Sequence, residues 1–300
     1  MRRLIYNIIK YPLIIIFLKT PLIKILKKRF SMHRAIKNNG LIMFTLDTLF
    51  EREYVCKIKD NEELKKLLNT VVGSGNGKIW AEHYYAHPAE NLETLKKKRV
   101  GLISRNESLP IFEKIINFIK INKLDNNNDA YIIQLGSSSG RDLEFFYNYY
   151  PKLNYISTDI NDEILNFQKE KYNYQNFNFY KCSAEDIDKC INNFQLEDKT
   201  IIMFSVGSLQ YVTPFFLNEF FSKIKKIKKI NLYICDPVNL LFIDSGKDLS
   251  EYRGKASFSH RYGKYAKEFE IIEEKIIRPY DAKNDPLHKN VGHYYLHLKN

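Results

Sequence analysis

The sequence predicts an α/β fold in which helices alternate with the strands of a mostly parallel sheet. The first observation is a buried strand at 131–135, where four of five residues are apolar. Small residues alone run from Gly136 to Gly140, and apolar residues resume at 143–146 with a spacing that can begin a helical face. A second strand follows at 155–160. The order of strand, small-residue turn, helix and strand is typical of a βαβ unit that binds a nucleotide.

The turn and the acid beyond it suit a bound nucleoside. Glycine is required where the backbone takes a positive φ or must touch a ligand, and the following helix points unpaired N–H groups and its positive end at the turn. Asp159 stands nineteen residues after Gly140, where a carboxylate can accept hydrogen bonds from both ribose hydroxyls. The spacing argues against a dinucleotide, because that pattern needs three glycines and only Gly136 and Gly140 are present.

This stretch resembles the first motif of the class I, Rossmann-like S-adenosylmethionine-dependent methyltransferases, which is written acid-x-G-x-G-x-G. Gly136 and Gly140 match the outer glycines, and Asp159 matches the acid that binds the ribose. Ser138 replaces the middle glycine and is small enough for close approach of the backbone to a cofactor. Gln134 stands where an acid is common, and it offers an amide oxygen rather than a charge to the methionine ammonium. The resemblance implies S-adenosylmethionine as the cofactor.

The third strand, at 178–182, leads into a stretch where the family often has Asp-Ala-Glu-Asp at the edge of the adenine. Ser183 replaces the first acid of that pattern. The resemblance implies adenine contacts from the backbone N–H of Ala184 and from the side chain of Ser183 or Glu185. The alternative is an ordinary strand-to-helix turn with acids at the start of the helix.

The fourth strand, at 200–204, is an apolar run suited to the centre of a parallel sheet. Ser205 follows it, and the resemblance implies a small residue here that faces the sulfonium centre. The resemblance covers about 105–300 and implies a Rossmann-like three-layer sandwich whose seven-stranded sheet ends in an antiparallel strand. The Asn-Pro-Pro-aromatic exit of enzymes that methylate amine nitrogens is absent, which favours oxygen as the acceptor atom.

The sulfonium is already a good leaving group and needs no help from the protein. A hydroxyl acceptor, however, needs a base to remove its proton. A positioned base contributes about 10²–10⁴-fold to the rate. His260 is the first candidate, since histidine titrates near neutrality and its predicted loop follows the fifth strand. Asp236, which lies outside the carboxyl end of that strand, and His293 are the other candidates. The alternatives are a surface or helix-start position for His260 and a turn-forming Asp-Pro at Asp236.

The positive charge is concentrated at the beginning of the chain. Residues 1–37 carry ten Lys or Arg residues and no acid, so only +2 of the net charge of +12 belongs to the other residues. A nucleic-acid enzyme should line its active site with basic surface, and a nearly neutral body does not favour one.

The basic segment alternates apolar clusters with lysines and has no uninterrupted run approaching the roughly 20 apolar residues of a spanning helix. Its composition suits the headgroup layer of an anionic membrane, with residues 1–30 as the contact. Two alternatives remain open: the apolar stripe packs on the protein, or the segment is spanning or signal-like. The four cysteines show no metal spacing and accompany no cleavable secretory signal, which predicts reduced thiols in the cytoplasm.

The stretch between the basic segment and the Rossmann-like body is predicted to be a helical lid or extension. Its run at 72–78 lacks the first glycine and the final Ser or Thr of a phosphate loop, which indicates a hinge instead. His83 and His87 have the i, i+4 spacing of a metal pair, but no third ligand is evident and no metal is predicted. The predicted domains are 1–37, 38–104 and 105–300.

Taken together, these patterns predict a class I methyltransferase acting on a hydroxyl of a small or saccharide-like acceptor. The basic segment adds the hypothesis that the acceptor is built at the cytoplasmic membrane face, as a lipid-linked glycan of polysaccharide biosynthesis would be. Two alternatives stay open. One is an RNA methyltransferase recruited by the basic segment, and the other is a non-catalytic membrane-associated protein that kept the fold and lost the cofactor.

Overall fold

The computed structural model describes Val55 and residues 58–72, 103–126, 128–254, 256–277 and 290–300. Within these residues the helices are α1 (Asn61–Val72), α2 (Ile103–Ile121), α3 (Arg141–Tyr149), α4 (Asp162–Lys171), α5 (Ile187–Asn193), α6 (Pro214–Ile224), α7 (Leu240–Ser245) and α8 (Tyr262–Tyr265). The strands are β1 (Ala130–Leu135), β2 (Asn154–Asp159), β3 (Phe177–Lys181), β4 (Thr200–Val206), β5 (Ile230–Asn239), β6 (Ser250–Gly254), β7 (Ser257–His260), β8 (Glu270–Ile277) and β9 (Val291–Lys299).

The described chain divides into two compact units. The smaller unit contains α1 and residues 252–254, 256 and 257. In α1 the side chain of Asp60 accepts a hydrogen bond from the N–H of Glu63 at 2.7 Å, and Leu64 and Leu68 form the buried stripe. The larger unit contains the sheet and the remaining helices.

Several predictions concern residues that lie outside the described ranges. These are the membrane-binding segment, the hinge at 72–78 beyond Val72, and the histidine pair His83 and His87. The proposed domain divisions at 37 and 104 remain predictions. Among the described residues, no helix combines the length and the apolar character needed to cross a bilayer.

The larger unit is built on a seven-stranded sheet with the order β3-β2-β1-β4-β5-β9-β8. The first five strands in that order pair in parallel, and β9 pairs antiparallel with both β5 and β8. The predicted Rossmann-like sheet with an antiparallel last strand is therefore confirmed. Strand order reverses between β1 and β4, and a ligand crevice forms outside the carboxyl ends of strands at such a reversal.

Both faces of the sheet are covered, which explains the apolar runs in its central strands. One core includes Ile133 of β1 and the inner faces of α5 and α6. The other core includes Ile132 of β1 and the inner faces of α2 and α3. Because successive residues of a strand point to opposite faces, β1 contributes to both layers and places the turn that follows it between them.

The fifth strand extends further than predicted. The sequence analysis placed Asp236 outside the carboxyl end of the fifth strand, with a turn-forming Asp-Pro as the alternative, and both interpretations are wrong because Asp236 and Pro237 lie within β5. Pairing with β4 stops at Cys235, but β9 continues to pair with β5 through Asp236, Pro237 and on to Asn239. Beyond Cys235 the strand has β9 alone as its described partner, and proline is tolerated at such an edge.

Candidate active site

The turn between β1 and α3 has a left-handed backbone conformation at three positions. Gly136, Ser138 and Gly140 have φ values of 62°, 50° and 75°. A Cβ at Gly136 would overlap the side chain of Ser208, and one at Gly140 would lie 2.6 Å from the ring of Tyr172. The two outer glycines are thus required for both conformation and space, whereas Ser138 takes a positive φ despite its side chain.

A buried network from β2 and α4 fixes the turn in place. The amide nitrogen of Gln168 donates to Ser137 Oγ at 2.8 Å and to the carbonyl oxygen of Ser138 at 2.7 Å. Ser157 Oγ lies 2.5 Å from Ser137 Oγ and donates to the amide oxygen of Gln168. Gln168 has no exposed surface. All three side chains are therefore committed to holding the turn.

Tyr172 adds a second support from the end of α4. Its hydroxyl donates to the carbonyl oxygen of Ser139 at 2.7 Å, and its ring closes the space beside Gly140. Neither Gln168 nor Tyr172 was predicted from the sequence. Their i, i+4 spacing puts them on one face of α4, but that spacing alone is too common to identify a site.

Asp159 ends β2 with its carboxylate against the turn. Its Oδ2 accepts a hydrogen bond from the N–H of Ser138 at 3.2 Å, and its Oδ1 accepts one from the N–H of Asn161 at 3.0 Å. Burial raises the pKa of this carboxyl to about 6, against the opposing effect of hydrogen bonds from the backbone of Asn161, Ser138 and Ile160. The predicted ribose-binding acid is thus buried (7% exposed) and hydrogen-bonded to the glycine turn predicted to bind the cofactor.

Gln134, at the position of the motif acid, is 3% exposed. Its amide nitrogen donates to Oδ2 of Asp142 in the first turn of α3, at 3.1 Å. Its amide oxygen is buried and has no hydrogen-bond partner among the described residues. Gln134 was predicted from the motif, whereas Asp142 was not.

The turn after β3 lies beside Asp159, because the N–H that follows β3 donates to the Asp159 carbonyl oxygen at 3.2 Å. Ser183 Oγ donates to Asp186 at 3.0 Å, so this hydroxyl closes its own turn. Ala184 begins a short 3-10 helix, and Glu185 within it is buried. The structure therefore brings the three predicted adenine residues to the same edge of the sheet as Asp159, and their role stays a prediction.

The loop after β4 connects the two sides of the strand-order reversal. Ser208 Oγ donates to the carbonyl oxygen of Gly136 at 2.9 Å, and the N–H of Ser208 donates to Oδ1 of Asp236 at 3.1 Å. Ser205 is fully buried, and its hydroxyl accepts the N–H of Leu209 at 3.2 Å. Ser208 was not predicted, yet it is hydrogen-bonded both to the glycine turn and to Asp236.

Asp236 is fully buried beneath that loop. In addition to the N–H of Ser208, it accepts the hydroxyl of Tyr262 on Oδ2 at 2.5 Å. The carboxylate therefore has donors on both oxygens. Of the three predicted bases, it has the shortest hydrogen-bonded path to Gly136, through Ser208 alone.

His260 lies at the end of β7, not in the predicted loop, and it is fully buried. Its Nδ1 is 2.6 Å from Ser250 Oγ, and its Nε2 is 3.0 Å from the carbonyl oxygen of Val212. Because a carbonyl only accepts, Nε2 carries the hydrogen and Nδ1 can accept from the serine. His293 lies in β9 opposite Pro237 and is 5% exposed.

Metal ligands do not converge anywhere in the described part of the chain. Within those ranges, no three His, Cys, Asp or Glu side chains are grouped so that they could hold an ion.

No family model matches this sequence, and no curated protein matches it either. Among solved structures, one from Galdieria sulphuraria, provisionally assigned as a sarcosine dimethylglycine methyltransferase, is similar with a TM-score of 0.50 and 12% identity. The match covers 75% of this chain and 98% of that chain. A provisionally assigned methyltransferase from Thermobifida fusca has a TM-score of 0.47 and 12% identity, covering 66% of this chain and 84% of that chain. The sheet order and the first of these similarities show that the chain has the fold of the class I, Rossmann-like S-adenosylmethionine-dependent methyltransferases.

Proposed function

We propose that this protein is an S-adenosylmethionine-dependent methyltransferase that methylates a hydroxyl of a small-molecule or saccharide-like acceptor. The observation that carries the proposal is the position of Asp159. Its carboxylate is buried at the carboxyl end of β2 and bonded to the N–H of Ser138, in the turn next to the strand-order reversal. A charged group is kept in such a position at a cost in stability, which is typical of a binding site.

The residues around this turn fit an adenosyl cofactor. Gly136 and Gly140 leave the backbone open to close approach, and Ser138 is small. Asp159 would accept hydrogen bonds from the ribose hydroxyls, and the turn at 183–185 would contact the adenine. When bound, S-adenosylmethionine supplies a methyl group on a sulfonium that is already a good leaving group. The protein then has to orient the acceptor, exclude water and take one proton.

Among the candidate bases we favour Asp236 for that proton. A single residue, Ser208, is hydrogen-bonded both to Asp236 and to the glycine turn. The hydroxyl of Tyr262 donates to the other oxygen of the Asp236 carboxylate and orients it. Each ring nitrogen of His260 has a single hydrogen-bonding position, and both are occupied, whereas each carboxylate oxygen of Asp236 can accept a second hydrogen bond. His260 is therefore placed second, followed by His293. A carboxylate held between two donors has a defined orientation. A general base must first be positioned within reach of the proton it removes, and only then does its pKa affect the rate.

The direct test is calorimetric titration of the full chain with S-adenosylmethionine. Wild-type protein should bind, and Asp159→Ala should bind at least about tenfold more weakly, because it loses charge-assisted hydrogen bonds to the ribose. Asp162→Ala is the matched control, since it removes an exposed carboxylate three residues away. Absence of binding to wild-type protein would contradict the proposal and favour the non-catalytic alternative.

We further propose that the protein is cytoplasmic and associates peripherally with the inner face of the cell membrane, where the acceptor is made. The support is the basic, acid-free composition of residues 1–37. Flotation with anionic vesicles should carry the full chain, and deletion of Met1–Arg29 should abolish flotation. Unchanged binding of the deletion variant would contradict this part. Salt-dependent RNA binding coupled to methyl transfer would instead favour the nucleic-acid alternative.

A further inference from the structure

His260 belongs to a chain of hydrogen bonds whose direction is defined at each step. Its Nε2 donates to the carbonyl oxygen of Val212 at 3.0 Å, so Nδ1 of the neutral ring carries a lone pair. Ser250 Oγ lies 2.6 Å from that Nδ1 and donates its hydrogen to it. The hydroxyl of Tyr265 lies 2.6 Å from the same serine oxygen. Because the single hydrogen of Ser250 is already used, Tyr265 is the donor in this last contact.

This chain contains the parts of an activated nucleophile. A serine hydroxyl is a weak nucleophile until an adjacent base takes its proton, and the base is effective when a third group orients it. Here the imidazole of His260 accepts the hydrogen of Ser250, and the carbonyl group of Val212 orients the imidazole. The donor at Tyr265 faces the oxygen on which negative charge would develop. The contacts between nucleophile and base, and between base and orienting group, are the two that such a site requires.

The serine and the histidine differ in exposure. His260 has no exposed surface, whereas Ser250 is half-buried at the start of β6. The imidazole is thus shielded from water, and the serine is the member of the pair nearer to solvent. Both residues, together with Val212 and Tyr265, belong to the larger unit, so the arrangement does not depend on how the two units are placed.

The segments that hold this pair expose large apolar side chains. Leu249, directly before Ser250, is 48% exposed, and Tyr211, directly before Val212, is 37% exposed. Ligand sites combine apolar surface with a few polar groups that fix the orientation of the ligand. The surroundings of Ser250 therefore suit a substrate whose reacting carbonyl group carries an apolar chain.

We infer that Ser250 is a nucleophile, activated by His260, that attacks carboxylic esters with an apolar acyl group. Ser250 Oγ forms a bond to the carbonyl carbon while its proton passes to Nδ1 of His260. The bond from that carbon to the alcohol oxygen then breaks, and the alcohol leaves with the proton. Water hydrolyses the acyl-serine by the same route, which releases the carboxylic acid and restores Ser250. This activity uses no S-adenosylmethionine and does not rest on the proposed function.

The experiment treats the full chain with diisopropyl fluorophosphate, followed by intact-mass measurement and peptide mapping. Wild-type protein should gain one diisopropylphosphoryl group on Ser250, as the O–P bond forms, fluoride leaves and the serine proton passes to His260. Ser250→Ala should abolish this labelling, and His260→Gln should slow it by about 10²–10⁴-fold, the contribution of a positioned base. Ser245→Ala removes an exposed serine five residues earlier and is the control that should label like wild type.

A second measurement tests the class of substrate. Release of 4-nitrophenolate from 4-nitrophenyl butyrate should be catalysed by wild-type protein and should fall to the uncatalysed rate with Ser250→Ala. Equal rates for these two proteins would overturn the assignment to esters.

The labelling itself has two outcomes that overturn the inference. One is a wild-type protein that takes up no phosphoryl group, or takes it up on another residue. The other is a folded His260→Gln that labels as fast as wild type, because His260 is then not the base. Circular dichroism and thermal unfolding show whether that variant is folded. If it is not, Tyr265→Phe replaces it, and loss of the donor to Ser250 should slow labelling by about three- to tenfold. Unchanged labelling of a folded Tyr265→Phe would then overturn the inference.

Discussion

The replacement Asp159→Asn should remove a pH-dependent penalty on folding. Burial raises the pKa of Asp159 from 3.8 to about 6 in the folded protein. An acid with a raised pKa holds its proton more tightly when folded than when unfolded. Its contribution to stability is therefore largest below pH 3.8 and is lost as the pH rises through about 6.

The size of the penalty follows from the shift. Two pK units correspond to roughly 3 kcal/mol, at 1.36 kcal/mol per unit. Wild-type protein should lose about this much free energy of unfolding between pH 4 and pH 7 through this one group. Asp159→Asn does not titrate, so it keeps that stability, although it gives up part of the hydrogen bonding to Ser138 and Asn161. This second effect does not depend on pH and shifts the whole curve by about 1 kcal/mol.

The assay is urea unfolding followed by far-UV circular dichroism, at half-unit steps from pH 4 to pH 8. The difference in unfolding free energy between wild type and Asp159→Asn cancels the titration of the other groups. That difference should change by about 3 kcal/mol with a midpoint between pH 4 and pH 6. Asp162→Asn, at an exposed position, is the control for removal of a carboxylate. A difference curve that is flat, or that changes in the opposite direction, would refute the reasoning.

The remaining predictions concern the glycine turn and its supports, and thermal unfolding measures each of them. Gly136→Ala should lower the free energy of unfolding by about 1–2 kcal/mol because of its positive φ, and by a further 1–3 kcal/mol because its Cβ overlaps the loop after β4. Gly246→Ala is the control, since Gly246 has a φ of 70° and no atom lies within 4 Å of the added Cβ. It should show only the cost of the positive φ. Asp236→Ala should lower the free energy of unfolding by about 2–6 kcal/mol, because it leaves the N–H of Ser208 and the hydroxyl of Tyr262 without an acceptor. Asp236→Asn should lower it by less than half of that. Equal effects of the two replacements would contradict the hydrogen-bond account. Gln168→Leu should cost about 1–3 kcal/mol and weaken S-adenosylmethionine binding in calorimetry, and the exposed Gln175→Leu should do neither.

The sequence alone determined the elements whose signals are local. Apolar runs at 131–135 and 200–204 predicted β1 and β4, because a strand buried on both faces has to be apolar throughout. The spacing from Gly140 to Asp159 predicted a turn and an acid near each other, since parallel strands joined by one helix bring their carboxyl ends together. These inferences need only residues that are close along the chain.

Contacts between distant parts of the chain were decided by the tertiary structure. Gln168 reaches Ser137 across 31 positions, and Ser208 reaches Gly136 across 72. Neither residue type nor spacing marks these partners, because a glutamine or a serine in a helix or loop is ordinary until the sheet order places it beside a turn. The same holds for His260, whose residue type suggested a base, while its burial and both of its hydrogen bonds depend on how β7 packs. Local pattern specifies which strands and turns form. The order in which strands pair specifies which polar groups meet, and that order is set by the whole buried core.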